Sequence, residues 1–179
     1  MVERVAIFGA ESTGKSTLAA ALGRRFGAPV APEYVREFWN EHDGRIVTED
    51  LGAIARGQVA NEEAAVAAAK QGLVICDTEL LTNVLWADLL FPGGCPEWVR
   101  VEAEKRSRNF ALYLLCDTDV AFEPDPQRCF PDPAGRAMCR KLWRETLVSR
   151  GLPFVEIRGD AVTREATAVA ALESLGLKA

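Results

Sequence analysis

A chain of 179 residues, 49% hydrophobic and 26% charged, has the size and balance of one domain, spanning 1–179, with a full apolar core. Its net charge of −5 argues against a broad nucleic-acid-binding or anionic-membrane surface, yet a few local cations suffice to hold a small anionic ligand. No apolar run approaches the roughly 20 residues that span a bilayer and no signal-peptide pattern opens the chain, so the expected location is the cytoplasm.

The first element is an apolar strand over Val2–Phe8. A helix follows from Lys15 to Phe26, with Leu18, Leu22 and Phe26 four apart on one face. A short second strand fits Ala28–Ala31. Thr48 has the character of an N-cap, with Glu49 and Asp50 in the first turn of an Ala-rich helix running to about Lys70. Leu73–Cys76 is a third strand. Helices over Thr78–Leu90 and Pro96–Arg106 come next, then a strand over Ala111–Cys116. Asp117–Pro133 carries Pro124, Pro126, Pro131 and Pro133, which forbid a long helix, and its length suits a lid or binding loop reaching to about residue 136. A helix over Pro133–Arg150, a strand over Pro153–Ile157 and a helix over Val162–Leu175 complete the chain. Alternating buried strands and helices predict a three-layer α/β fold around a parallel sheet of about five strands. The five cysteines contain no CxxC pair and His42 is the only histidine, so the thiols read as structural rather than zinc-binding.

Between the first strand and helix stands Gly9-Ala10-Glu11-Ser12-Thr13-Gly14-Lys15-Ser16, a full G-x-x-x-x-G-K-[ST] match in the required strand–turn–helix context. Gly9 and Gly14 permit the tight turns that aim backbone N–H groups, with the helix N-terminus, at phosphates. Glu11, Ser12, Thr13 and Thr17 belong to the same nucleotide-binding stretch. Lys15 can reach the β/γ-phosphates and Ser16 can ligate Mg²⁺. Asp77, ending the Leu73–Cys76 strand, is expected as the second Mg²⁺ ligand. Asp117 ends a strand too and is its rival, and a helix-cap role for Asp77 is the plainer alternative. The absence of an N/T-K-x-D motif favours ATP over GTP as the nucleotide.

Small-molecule kinases also need an acceptor pocket. Glu33 follows the short second strand, where a carboxylate can position an acceptor hydroxyl and take its proton. Tyr34 lies beside it, and Arg36, one helical turn on, can contact the acceptor or the moving phosphate, or simply pair with Glu33 at the surface. Gln58 shares an apolar helix face with Leu51, Ile54 and Ala55 and therefore needs a polar partner, in the core or at the substrate. Arg128 in the Pro-rich loop and Arg136 at the following helix are candidate lid arginines, with a solvated surface as the alternative.

Together these residues resemble the ribosylnicotinamide kinase domain of the NadR family, in the P-loop nucleoside/nucleotide-kinase group. The resemblance rests on the P-loop, Glu33-Tyr34-Val35-Arg36-Glu37, the Gln58 helix, Ile75-Cys76-Asp77-Thr78, Asp125-Pro126-Gln127-Arg128 and Val155-Glu156-Ile157-Arg158-Gly159-Asp160. It implies phosphoryl transfer from ATP to the ribose 5′-hydroxyl of nicotinamide riboside, a small-molecule nucleoside partner, with Mg²⁺ as cofactor. It also implies that Glu33 and Asp77 flank that hydroxyl, either taking its proton, and that Gly159 and Asp160 lie in a loop approaching adenine. Some members add an adenylyltransferase with an H-x-G-H motif, which a chain with one histidine does not carry. Aromatic residues can hold the nicotinamide ring in the family; Tyr34, Phe38, Trp39 and Trp86 are candidates here. Two other readings stand beside this one: a kinase for another nucleoside, nucleotide or vitamin, and a nucleotide-dependent regulatory module. Glu33, Arg36 and Arg128 favour an enzyme, since a switch needs no acceptor pocket.

Overall fold

The computed structural model describes residues 2–178. In chain order its elements are β1 (Glu3–Phe8), α1 (Lys15–Phe26), β2 (Val30–Ala31), α2 (Tyr34–Glu41), α3 (Leu51–Ala68), β3 (Leu73–Asp77), α4 (Leu80–Leu90), α5 (Glu97–Ser107), β4 (Leu112–Cys116), α6 (Pro133–Arg150), β5 (Phe154–Ile157) and α7 (Ala161–Ser174). All sheet pairings are parallel, in the order β2-β3-β1-β4-β5. Strands β3 and β4 are buried along their lengths and β1 from Val5 onward, which is why they read as continuous apolar runs.

Alternation along each strand divides the core into two layers. Ala6, Phe8, Cys76, Tyr113 and Leu115 pack with α3 to α6, where Trp143 fills the centre. Val5, Ile7, Ile75 and Leu114 pack with Leu18, Leu22 and Phe26 of α1 and with Leu172 of α7. The sheet is thus covered on both faces, as the alternation of strands and helices predicted. All five cysteines are free, and Cys129 alone is exposed. No helix among the described residues is long and apolar enough to cross a membrane.

Several local expectations shift. The second strand contracts to Val30–Ala31 at the sheet edge. The eight-residue α2, too short for its period to stand out, was not among the expected helices. Thr48 is not an N-cap: Thr48–Asp50 forms a separate 3₁₀ turn, and the Asp50 carboxylate accepts from the Val47 N–H at 2.9 Å. Helix α4 starts at Leu80 because Thr78 takes φ 78° and Glu79 is extended, its carboxylate accepting from Leu81 N–H at 2.9 Å. Residues 117–132 carry no helix or strand, and α6 opens at Pro133 behind an Asp132 cap.

Candidate active site

The P-loop leaves the carboxyl end of the central strand β1, where open α/β sheets present their ligand crevice. Gly9 has φ 151°, and a Cβ there would lie 2.8 Å from the Cys116 carbonyl oxygen of the neighbouring strand, so only glycine fits. Gly14 caps α1 in the left-handed region. The Ala10 carbonyl accepts from Lys15 Nζ at 2.7 Å and from Thr13 Oγ1 at 2.8 Å. Lys15, Ser16 and Thr17 all line a cleft of about 890 Å³.

Of the two expected carboxylates, Glu33 lines this cleft and Asp77 does not. Glu33 precedes α2 with an extended backbone and makes no capping bond, which leaves its carboxylate to the cleft. Gln58 fixes the backbone around it, accepting from Tyr34 N–H at 2.9 Å and reaching the Pro32 carbonyl, to which Asn61 donates at 3.2 Å. Burial raises the Glu33 pKa; Lys15 opposes this, Asp77 adds to it, and Arg36 and Arg128 pull it down. Asp77 is buried at the end of β3, and its Oδ1 has no partner among the described residues. Its rival Asp117 is already paired with Arg140 at 2.9 Å and Arg158 at 2.8 Å. A buried carboxylate oxygen left open suits a cation; one closed by two guanidiniums does not.

The 117–132 segment lies over the P-loop. Glu11 accepts from the N–H groups of Cys129 at 2.8 Å and Phe130 at 2.5 Å. Ser12 Oγ accepts from Glu123 N–H at 2.8 Å and from Arg128 at 3.3 Å, and Arg128 also donates to the Glu123 carbonyl. Arg36 pairs with Asp125 at 2.8 Å and lines the cleft. Glu11, expected at the nucleotide, thus holds the lid.

The cleft lining also holds the apolar Leu51, Ile54, Trp39 and Trp86 and the polar Thr82 and Asn83. Trp86 stacks on Phe130 of the lid, with centroids 6.1 Å apart and planes 13° apart. Tyr34 and Phe38 do not line the cleft. The Tyr34 ring lies on α3, where a Cβ at Gly57 would come within 2.1 Å of it.

Some expected contacts fall elsewhere. Gln58 is buried and spent on backbone, so it positions Glu33 rather than facing a substrate. Arg136 donates to the Thr118 and Val120 carbonyls, both at 2.8 Å, and lies over Phe122, outside the cleft lining. Gly159 gives its N–H to Asp119 at 2.7 Å and Asp160 caps α7 through Thr163 N–H; Ala161, Arg164 and Glu165 line the cleft instead. Sequence reasoning passed over Thr82, Asn83 and Arg164. The only signal for Arg164 was a charge one helical turn after Asp160.

A family model described as AAA domain matches residues 4–164. The trifunctional NAD biosynthesis/regulator protein NadR of Salmonella typhimurium is 28% identical over 161 residues, covering 88% of this chain and 38% of that protein. The chain thus spans well under half the length of this curated relative. A solved NadR protein in complex with NR superposes with a TM-score of 0.74 at 25% identity, over 99% of this chain and 52% of that one. Deoxyadenosine kinase from M. mycoides gives a TM-score of 0.66 at 15% identity, over 96% and 99%. The resemblance to NadR read from the motifs therefore holds along nearly the whole chain, and the fold is the P-loop fold of the nucleoside kinases.

Proposed function

The chain belongs to the AAA domain family, and from that premise we propose that it is an ATP-dependent kinase acting on the ribose 5′-hydroxyl of nicotinamide riboside. The observation that carries the reading is one cleft lined at once by the P-loop, by Glu33 and by the aromatic side chains Trp39 and Trp86. Its likeness to a NadR protein solved with NR supports the choice of acceptor.

In this reading the P-loop amides and Lys15 hold the triphosphate. Ser16 and Asp77 offer hard oxygen donors, and the open Asp77 Oδ1 fits Mg²⁺. Bound there, Mg²⁺ would offset charge on the β- and γ-phosphates. The 5′-oxygen forms a bond to the γ-phosphorus while the bond from that phosphorus to the β-bridging oxygen breaks, releasing ADP. The hydroxyl proton passes to Glu33, which lines the cleft and whose pKa burial raises, while Asp77 serves the metal. Arg128 stabilises charge on the transferred group, and Trp39 and Trp86 flank the nicotinamide ring.

Incubation with ATP, Mg²⁺ and a panel of nucleosides, nucleotides and vitamins, with product mass measured, tests the proposal. Nicotinamide riboside should give the highest kcat/KM and a product heavier by one phosphoryl group. Folded, ATP-binding protein without riboside-stimulated turnover would overturn it, and a better acceptor in the panel would replace the substrate.

A further inference from the structure

We infer that Arg164, from outside the P-loop motif, is a positioning residue that sets which way the P-loop's Thr13–Gly14 peptide faces. The inference rests on the donor half of the proposed function, triphosphate binding, and is independent of the acceptor.

Arg164 is 5% exposed although it stands only one turn into α7. Such burial is unfavourable for a guanidinium unless its N–H groups find acceptors. Here they find four. Nη1 donates to the Thr13 carbonyl at 2.9 Å, Nε to the Gly159 carbonyl at 2.8 Å, and Nη2 to the Asp117 carbonyl at 3.0 Å and to the Asp119 carboxylate. One planar group thereby ties together the P-loop, the exit of β4 and the turn between β5 and α7.

The Thr13 contact has a direct consequence. Every described peptide is trans, so a carbonyl and the following N–H point in opposite directions. With the Thr13 carbonyl drawn to Arg164, the Gly14 N–H is turned the other way, as a phosphate-binding amide requires. Gly14 tolerates either sign of φ, so its own backbone does not hold the peptide in this orientation, and no other hydrogen bond among the described residues takes the Thr13 carbonyl. The Ala10 carbonyl is held by Lys15, which must leave it to reach a phosphate; the grip on Thr13 does not depend on that lysine. A lysine at 164 lacks the planar fork that reaches several carbonyls at once.

The test measures, by calorimetry, binding of ATP, inorganic tripolyphosphate and nicotinamide riboside to wild type, R164K, R164M and D119N, with Tm recorded. Both Arg164 variants should lose about tenfold or more in affinity for tripolyphosphate and ATP alike, with riboside affinity unchanged and no rescue by lysine. Asp119→Asn removes the guanidinium's one anionic partner among the described residues, leaves Arg164 in place should its own variants fail to fold, and should weaken tripolyphosphate binding severalfold. Wild-type tripolyphosphate affinity in folded R164K, or in D119N, would overturn the inference. So would loss confined to ATP, or an equal loss for the riboside. Wild-type protein that binds no ATP would overturn the donor reading as well; normal wild-type binding with unimpaired variants sinks only the role of Arg164.

Discussion

Lys15 illustrates how much one side chain can carry. Its ammonium is already held at the P-loop by the Ala10 carbonyl, a short swing from any bound phosphate. Thr13 Oγ1 shares that carbonyl, so Lys15→Ala leaves the loop one internal bond while removing the charge. Turnover should fall roughly 10²–10³-fold, the scale of one lost electrostatic contact to a transition state. Near-normal steady-state rates in the folded variant would refute the phosphate assignment. At the same scale, Asp77 was the expected Mg²⁺ ligand by sequence, yet Asp117 stood as its rival because both end apolar strands. Tertiary pairing separates them, since Arg140 and Arg158 reach only Asp117. Glu33 was readable from its place after the second strand. Gln58 and Arg136 were left with two readings for a common reason: a sequence shows that a polar side chain needs a partner, but not whether that partner is backbone or ligand.

Among the elements, the start of α4 is the most unusual. Thr78, a β-branched residue, holds φ 78°, a conformation that costs free energy and concentrates at functional sites. It places Asp77 before the helix and leaves Glu79 as the cap, 1% exposed. Burial raises the Glu79 pKa to about 8, against the pull of the Leu81 and Thr82 amides. A carboxyl that binds its proton more tightly when folded takes up protons on folding. Its contribution is complete below the ordinary Glu range and is lost as pH rises to about 8 and beyond. Glu79→Gln keeps an oxygen for the Leu81 N–H and cannot ionise. Relative to wild type it should therefore gain stability between pH 5.5 and 8.5, by up to about 3 kcal/mol in denaturant unfolding. Parallel pH dependence in the two proteins would exclude Glu79 as the titrating group. Helix α2 carries a different lesson. It depends on Gly57 across the interface, where any side chain would strike the Tyr34 ring, a constraint with no local sequence mark.

Across the whole molecule, the 117–132 segment carries no helix or strand yet lines the cleft through Val120, Ala121, Glu123 and Pro126–Cys129. Its ion pair from Asp125 to Arg36 is partly exposed and adds little. The grip of Glu11 on two backbone amides is charge-assisted and stronger. It joins the P-loop to Phe130, whose ring stacks on Trp86 of the cleft lining. Glu11→Ala should speed hydrogen exchange at the Cys129 and Phe130 amides and leave the β1 and β4 amides protected. Unchanged exchange at those two positions would show that the lid is held by other contacts.

The amino-acid sequence by itself determined the P-loop, the layered α/β fold and the Pro-rich lid, because each is written locally: in glycine spacing, in buried apolar runs, and in residues that cannot enter a helix. Its motifs also carried the resemblance to NadR. Only the tertiary structure decided which of two strand-end aspartates stays open, that Gln58 braces the backbone at Glu33, and that Glu11 holds the lid. It alone brought Arg164, some 150 residues away along the chain, onto the Thr13 carbonyl. Those outcomes turn on where side chains point once distant segments pack, and no spacing along the chain encodes that direction.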